Sequence, residues 1–316
     1  MNMNFRHIAA AALAGAMFLC SCSREGAVQQ CGSVDARFSV SAGNGAKASF
    51  DLDGQAACVK RFVMEIWASV PGSASTRLYD RQVVYSDTPI KETSFDVTLV
   101  KSQTYDILFW ADNASSAVAG NYYDASDLHD VKFLSPYKGN DDARDAFSKA
   151  IRIQATDTSI WGSVVLTRPF AQVNFITADI ARLQALGGAS YSIPDSLEIA
   201  YEAASSFNVL DGTLGGKTTV RSGVKPYYST TGNKGEGESR FTLTMDYILA
   251  GTEQSTETFT LSAYNSGNKL FDSTFDNIPL RRNYRTNVIG NLLTESGTFT
   301  IVVDENWNDP EYVVSL

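Results

Sequence analysis

Histidine is nearly missing from this chain of 316 residues, which contains only His7 and His129. His7 lies in an N-terminal segment that we expect to be removed, and the polar stretch around His129 predicts a solvated loop. A metal or catalytic site built on paired histidines, such as an HExxH helix, therefore has no candidates. Nucleophile-elbow, phosphate-loop and dinucleotide-binding motifs are also missing. We expect no enzyme, no cofactor and no metal site.

Cysteine is scarce as well, with four residues in the whole chain. Cys20 and Cys22 belong to the N-terminal segment, which leaves Cys31 and Cys58. In an exported protein such a pair favours one disulfide, because the compartment is oxidising. Spacing alone does not fix the geometry that a disulfide needs, and two free, partly buried thiols are the alternative.

Long apolar runs are missing from the body of the chain, where no stretch reaches the ~20 residues of a membrane-spanning helix. The apolar run at residues 8–19 follows Arg6 and His7 and has the length of a signal-peptide core. It ends in the sequence LCSC at residues 19–22, which resembles a bacterial lipobox. Residues 1–21 are therefore predicted to be a lipoprotein signal peptide.

Cys22 is the residue predicted to carry the lipid, and Cys20 is the less favoured anchor because Phe18 would then occupy a position that needs a small residue. An acylated N-terminus with more than one chain anchors stably in a membrane. Residues 22–33 are interpreted as a tether. We expect a protein held at the outer membrane by its lipid, on the cell surface or in a fimbrium.

Positive charge is in the minority, with 26 Lys and Arg against 35 Asp and Glu and a formal net charge of −9. An acidic surface disfavours nucleic acid and anionic lipid headgroups as partners. The hydrophobic content of 44% is sufficient for folded cores and argues against a disordered chain.

Alternating apolar and polar residues dominate the rest of the chain and predict β-strands. Val34 to Val40, Val59 to Trp67 and Tyr105 to Trp110 are examples from the first half. The second half begins with a long strand over residues 163–176, interrupted by Pro169. Each half opens with an alternating strand, continues into a loop and returns with a second strand. We therefore predict an all-β protein of two β-sandwiches in tandem, residues 34–160 and 161–316.

Two helical pieces interrupt the strands. Residues 179–186 predict one short helix stopped by a Gly pair, and residues 143–149 predict a helical turn inside a long loop. Asp141, Asp142 and Asp145 begin that turn and could hold calcium, but a solvated acidic turn that caps the helix is favoured because EF-hand spacing is missing. The Gly-rich sequence at residues 212–216 is interpreted as a hairpin turn.

Paired tyrosines supply the candidates for ligand contact. Tyr122 and Tyr123 could stack on sugars, as could Tyr227 and Tyr228, and the alternative is that one ring of each pair packs inward. Sugar contact by Tyr122 and Tyr123 would suit a surface glycan-binding lipoprotein that serves a nutrient-uptake system.

Several segments resemble the fimbrillin-like lipoproteins of Bacteroidales, over nearly the whole mature chain. The matching stretches are FWAD at residues 109–112, YYDASDL at 122–128, RDAF at 144–147, LTRPFAQVNF at 166–175 and PLRRNYRTNVIGNLLT at 279–294. The resemblance implies two transthyretin-like, Greek-key domains and a non-enzymatic role as a subunit of type V pili or as an adhesin. Its implied partners are other pilus subunits or surface ligands of host and bacterial cells.

Proteolytic assembly is a further implication of this resemblance. In polymerising members an arginine-specific protease removes the lipid and the first strand, and a strand from a neighbour fills the groove. Arg37, within the first predicted strand, is the cleavage site to test first, and Arg24 and Arg61 are its competitors. An ordinary outward-facing arginine is the alternative for Arg37. Residues 311–316 could form a donor strand, and shaft, tip and anchor roles stay open.

Overall fold

The computed structural model describes residues 32–43, 59–116, 121–134, 141–186, 192–224, 227–230, 240–294, 299–304 and 312–314. The all-β prediction is confirmed, because strands dominate these ranges and form antiparallel and mixed sheets. The first strands are β1 (Ser33–Ala42), β2 (Val59–Ser69), β3 (Thr76–Ile90), β4 (Glu92–Val100), β5 (Thr104–Asp112), β6 (Tyr123–Asp124), β7 (Val131–Phe133), β8 (Ala146–Gln154) and β9 (Ile160–Leu166).

The second series of strands is separated from the first by the turn around Pro169. Its members are β10 (Phe170–Thr177), β11 (Ser196–Ala203), β12 (Ser206–Phe207), β13 (Leu214–Gly215), β14 (Thr218–Val224), β15 (Tyr227–Thr230), β16 (Phe241–Leu249), β17 (Ser255–Asn265), β18 (Asn268–Leu280), β19 (Tyr284–Gly290), β20 (Phe299–Asp304) and β21 (Tyr312–Val314). A short α-helix, α1 (Ile180–Leu186), follows β10 and confirms the predicted helix. Within the described ranges, no helix is long and apolar enough to cross a bilayer.

The first sandwich pairs a three-stranded sheet, in the order β4-β1-β9, with a four-stranded sheet, β3-β2-β5-β8. Alternate residues of β1 point into the space between the sheets and meet β5 from the opposite side. Phe38, Phe95 and Phe109 form the centre of this core, and each is 1% exposed or less. Burial of large rings on facing strands explains why the two sheets associate.

The second sandwich pairs the sheet β14-β11-β17-β18 with the six-stranded sheet β15-β16-β10-β19-β20-β21. Phe175 lies at its centre, with ring centroids 5.4 Å from Phe259 and 5.1 Å from Phe275. Strand β10 is buried at every position because both of its faces are covered. Strand β12 pairs antiparallel with β13, so a hairpin is present, but its turn lies at residues 208–213, and two residues of the predicted turn, Leu214 and Gly215, form β13 instead.

A third core lies between the two sandwiches. It is built mainly from the outer faces of β2, β5 and β16 and from the small sheet β13-β12-β7-β6, with Ala146 of β8 and Phe170 of β10 added. Trp110, Tyr123 and Tyr247 are among its members, all 2% exposed or less. The two halves are therefore joined by a packed apolar interface, a feature that the tandem plan does not include.

Two predictions of secondary structure are wrong. The long strand over residues 163–176 is two strands in different sheets, because β9 ends at Leu166 and β10 begins at Phe170 after the turn at Pro169. The helical turn over residues 143–149 is reduced to a 3-10 turn, Asp142–Arg144, after which β8 begins. In both places the neighbouring sheet determines the local structure.

The predicted division at 160/161 falls at the start of β9. This strand pairs in parallel with β1, and its Val164 and Leu166 belong to the core of the first sandwich. Phe170, four residues later, belongs to the third core. We propose that the division between the halves lies between Leu166 and Phe170.

Candidate processing and assembly site

Strand β1 is the central strand of its sheet. Its register with β4 runs antiparallel from Ser33 opposite Val100 to Ser41 opposite Glu92, and its register with β9 runs in parallel from Ala36 to Ala42. The inward residues are the apolar ones; Val34, Ala36, Phe38, Val40 and Ala42 are all buried. Such a strand is held by backbone hydrogen bonds on both edges and by a row of apolar side chains on one face.

Phe38 is the largest side chain that β1 contributes to the core. Its ring meets Phe109 edge-on with centroids 5.9 Å apart. On β9 the ring lies over Gly162, where an added Cβ would be 2.9 Å from Phe38 Cδ1. Glycine is therefore required at this position of β9 by the close approach of the ring, not by its backbone angles.

Arg37 lies on the opposite, solvent-facing side of β1. Its cross-strand neighbours are Asp96 on β4 and Trp161 on β9. The guanidinium Nε is 3.6 Å from an Asp96 carboxylate oxygen, and both side chains are largely exposed. A surface pair of this kind contributes little to stability, on the order of 0–1 kcal/mol. The side chain of Arg37 is thus accessible, while the peptide bonds around it are paired within the sheet.

The competing arginines differ from Arg37 in their surroundings. Arg61 is 7% exposed. Its Nε donates to Asp112 Oδ1 at 2.9 Å, a second guanidinium nitrogen binds the other carboxylate oxygen, and the same nitrogen donates to the Tyr123 carbonyl at 3.2 Å. Arg24 lies outside the described residues, as do Cys22, Cys31 and Cys58. The lipidation and disulfide predictions therefore remain predictions.

The predicted ligand contact fails for Tyr123, whose ring is 2% exposed in the third core. Its hydroxyl donates to the Arg144 carbonyl at 2.5 Å. Tyr122 is only partly buried, and its hydroxyl donates to Asp141 Oδ2 at 2.6 Å. Burial, followed by the hydrogen bond to Asp141, raises the pKa of Tyr122 to about 12. Contact with a ligand stays a prediction for Tyr122 alone.

The acidic turn is a structural joint and only partly solvated. Asp141 Oδ1 accepts a hydrogen bond from the Ala143 backbone nitrogen at 3.1 Å and so caps the 3-10 turn. Asp145 is buried and accepts from Arg168 Nε at 2.8 and 2.9 Å and from Arg168 Nη2 at 2.6 Å. The expectation of a solvated turn is wrong for Asp145, because the arginine between β9 and β10 closes over it.

A polar cluster on the outer face of β2 was not expected from the sequence. Glu65 is 1% exposed and accepts hydrogen bonds from Trp67 Nε1 at 3.2 Å and from the Leu128 nitrogen at 3.1 Å, and it also pairs with Arg81. Arg81 in turn donates to the Ala125 carbonyl at 2.6 Å. Buried glutamate needs such partners. The cluster fastens the loop at residues 125–129 to the sheet, and no local sequence signal marks it.

His129 belongs to this loop and is less solvated than predicted. Its ring lies edge-on against Trp67 at 4.4 Å between centroids, and its Nδ1 is 3.6 Å from an Asp127 oxygen. Ligand atoms of Glu65, Asp127 and His129 lie within 4.8 Å of one another. The Glu65 carboxylate is already engaged by its donors, so a cation here would have to displace Arg81.

Comparisons with known proteins give one family and a set of solved structures. The model of the family of unknown function DUF6562 matches residues 29–315. Among curated proteins, no sequence relative is found.

The solved structures that resemble the chain include fimbrial and adhesin-like proteins of Bacteroides and related genera. One, from Bacteroides thetaiotaomicron, is provisionally described as polysaccharide-binding (DUF1812); it is 13% identical, with 89% of this chain and 98% of that chain covered and a TM-score of 0.49. A fimbrial assembly protein from Parabacteroides distasonis is 11% identical, with 89% and 99% covered and a TM-score of 0.46. The fimbrial anchor protein Mfa2 from Porphyromonas gingivalis is 11% identical, with 85% and 97% covered and a TM-score of 0.42.

Proposed function

The chain belongs to DUF6562, a family of unknown function, and we propose that it is a non-enzymatic cell-surface protein of the fimbrial-subunit or adhesin type, delivered by a lipid on Cys22. The observation that carries the proposal is the place of β1. The first strand after the tether fills the middle of a sheet, so the anchor and the fold are connected by a strand that completes the domain. The motifs at residues 109–128 and 279–294 support the same type of protein.

The finer question is whether this strand is exchanged. A protease binds its substrate as an extended, unpaired segment, but the bond after Arg37 lies in the middle of β1 with partners on both edges. A cut there would free Val34 and Ala36 and leave Phe38, Val40 and Ala42 in the core. The cut would release Ser33–Arg37, five of the ten residues of β1, and half of the strand would stay in the sheet.

Removal of the whole strand needs a cut between β1 and β2. Residues 43–60 contain no arginine. The next arginine, Arg61, is buried in its ion pair with Asp112. An arginine-specific protease therefore has no accessible site from which to remove β1 as a unit. We propose that β1 remains in place and that the protein acts as an anchor, tip or accessory subunit, not as a polymerising shaft subunit.

The test is limited digestion of the purified, folded precursor with an arginine-specific protease, followed by intact-mass measurement and denaturing electrophoresis without heating. We expect no product that begins at Phe38 and no ladder of SDS-resistant oligomers. A discrete product beginning at Phe38, together with such a ladder, would show a shaft subunit. An Arg37→Lys variant is the matched control, since it removes the recognition residue and preserves the charge opposite Asp96.

The cell-surface role has its own test. Electron microscopy and surface labelling of cells with and without the gene, and with Cys22→Ala, should show the protein at the outer membrane only when Cys22 is present. Protein of unchanged surface abundance in the Cys22→Ala strain would contradict lipid delivery. The alternative is glycan binding through Tyr122 and Tyr123. Because Tyr123 is buried, only Tyr122 is left as a candidate for that contact.

A further inference from the structure

Trp161 is the most exposed large apolar side chain among the described residues, at 77%. It belongs to β9, at the edge of the three-stranded sheet, and points away from the core, in which its neighbour Val164 is buried. Because the side chain points away from the core, the ring has no packing role at this position of β9. Tryptophan is enriched at interfaces because its ring is apolar and its N–H is polar, so the surface beside Trp161 is a candidate contact surface.

The surface beside Trp161 is a depression of about 360 Å³ that extends across β1 to β4. Asp35 and Arg37 line it from β1, and Asp96 and Thr98 line it from β4. Neighbouring strands are roughly 5 Å apart, so the backbone positions of Asp96 on β4 and Trp161 on β9 are about two strand spacings, or about 10 Å, apart. This span and volume match one or two sugar rings, and the volume is at the lower end of ligand pockets, which begin at about 300 Å³.

The polar side chains that line the depression are already held in place by contacts with one another. Thr98 Oγ1 donates to Asp35 Oδ1 at 3.0 Å, and Arg37 is paired with Asp96 at 3.6 Å. Cross-strand pairs fix these groups in a ladder on the flat face of the sheet. The depression therefore offers guanidinium donors and carboxylate acceptors side by side, which is what a ring of hydroxyl groups requires, since each hydroxyl both donates and accepts.

Charge and surroundings select among ligand classes. One guanidinium and two carboxylates give the depression a net charge of about −1, which disfavours phosphate, sulfate and uronic acids. The same face carries exposed Ser39, Ser94 and Ser163, so the indole is set in a polar rim, and besides Trp161 the exposed large apolar side chain of β9 is Val165, at 39%. A protein interface of useful size needs a wider apolar centre than one ring.

We propose that Trp161, with Arg37, Asp96 and Asp35, forms a binding site for a neutral pyranose within a glycan. One apolar face of the sugar stacks on the indole, and the hydroxyl groups at the ring edge bind the charged side chains. The site requires neither a lipid anchor nor a pilus. A chain that binds sugar but never reaches the cell surface would support the site and refute the proposed function.

The experiment is affinity electrophoresis of the mature chain in gels that contain yeast mannan, laminarin or dextran, with polygalacturonate and heparin as anionic comparisons, followed by fluorescence titration of the indole. We expect retardation by at least one neutral glycan. Trp161→Ala should weaken it about 30-fold, the usual loss when a central aromatic contact is truncated, and Trp161→Phe should restore part of it. Val165→Ala, on the same strand and face, should bind as the wild type does.

Several results would overturn the proposal. Retardation by none of the neutral glycans would do so, as would retardation only by the anionic ones. Equal weakening in Trp161→Ala and Val165→Ala would indicate an extended apolar interface. Self-association in sedimentation that Trp161→Ala abolishes, without sugar binding, would assign the face to a second protein copy. Each variant changes a side chain that points to solvent and lies outside the core, so folding is expected to be preserved.

Discussion

Phe38→Ala is the change that tests the retention of β1 most directly. The ring is 1% exposed, packs against Phe109 and fills the space over Gly162. Truncation of a buried phenylalanine costs about 3–5 kcal/mol. Because the ring belongs to β1 itself, this loss favours opening of the strand from the sheet.

The expected result is faster cleavage after Arg37. Where cleavage follows local opening, its rate tracks the population of the open form. A loss of about 3 kcal/mol raises that population roughly 150-fold, at about 1.4 kcal/mol for each factor of ten. The rate of cleavage by an arginine-specific protease, followed by intact mass, should rise by about this factor, and the backbone amides of β1 should exchange hydrogen correspondingly faster.

Phe275→Ala is the matched control. Phe275 is 3% exposed in the core of the second sandwich, so the same truncation should cost a comparable free energy without loosening β1. If both variants accelerate cleavage after Arg37 equally, the protease reaches the bond by global unfolding. That result would refute the idea that local opening of β1 from its sheet controls cleavage. If neither does, the bond is already accessible in the folded protein.

Three further predictions concern single contacts. Gly162→Ala should destabilise the first sandwich by about 1–3 kcal/mol in denaturant titration, because the added Cβ would lie 2.9 Å from Phe38 Cδ1; an unchanged midpoint would contradict that contact. Asp112→Ala should cost about 3–5 kcal/mol by leaving the buried Arg61 charge unpaired, and a loss below about 1 kcal/mol would contradict the pairing. Tyr122 has its pKa raised to about 12 from about 10 when unfolded, so its stabilising contribution is present below pH ~10 and is lost as pH rises toward ~12; ultraviolet titration should show one late phenolate fewer in Tyr122→Phe.

Much of the architecture could be predicted because one face of a strand is buried. Strand β1 alternates strictly between exposed and buried residues, and period-two alternation is the signal by which the sequence identifies it. The short helix was predicted for a comparable reason, since its apolar residues are followed by a Gly pair. Prediction was accurate where a local pattern and the final environment agree.

Residues 163–176 show where such patterns fail. Strands β9 and β10 are both rich in β-branched and aromatic residues, and β10 is buried on both faces, so nothing local separates them except Pro169. The proline was interpreted as an interruption within one strand. The connection between the two strands contains Arg168, whose ion pair with Asp145 joins positions 23 residues apart. A contact between distant residues leaves no trace in a local pattern.

The candidate site was predicted in part and for a similar reason. Arg37 was identified by residue type and by its place in an alternating strand, whereas Trp161 gave no signal, because exposure of a tryptophan depends on which strand it pairs with. Tyr123 follows the alternative in which one ring of the pair packs inward, because adjacent tyrosines on an extended segment point to opposite faces. Which of the two faces is covered depends on the third core, whose members come from both halves of the chain.

The third core also limits what the loss of β1 can do. Most of its members come from β2, β5, β16 and the small sheet, with Ala146 from β8 and Phe170 from β10, and none comes from β4, β1 or β9. Damage to the sheet that contains Phe38 therefore removes no member of the third core or of the core around Phe175. A protein cut after Arg37 should keep the cooperative unfolding of its second half while the first half becomes sensitive to protease. Loss of both halves together would show that the joint depends on β1, contrary to the packing of the third core.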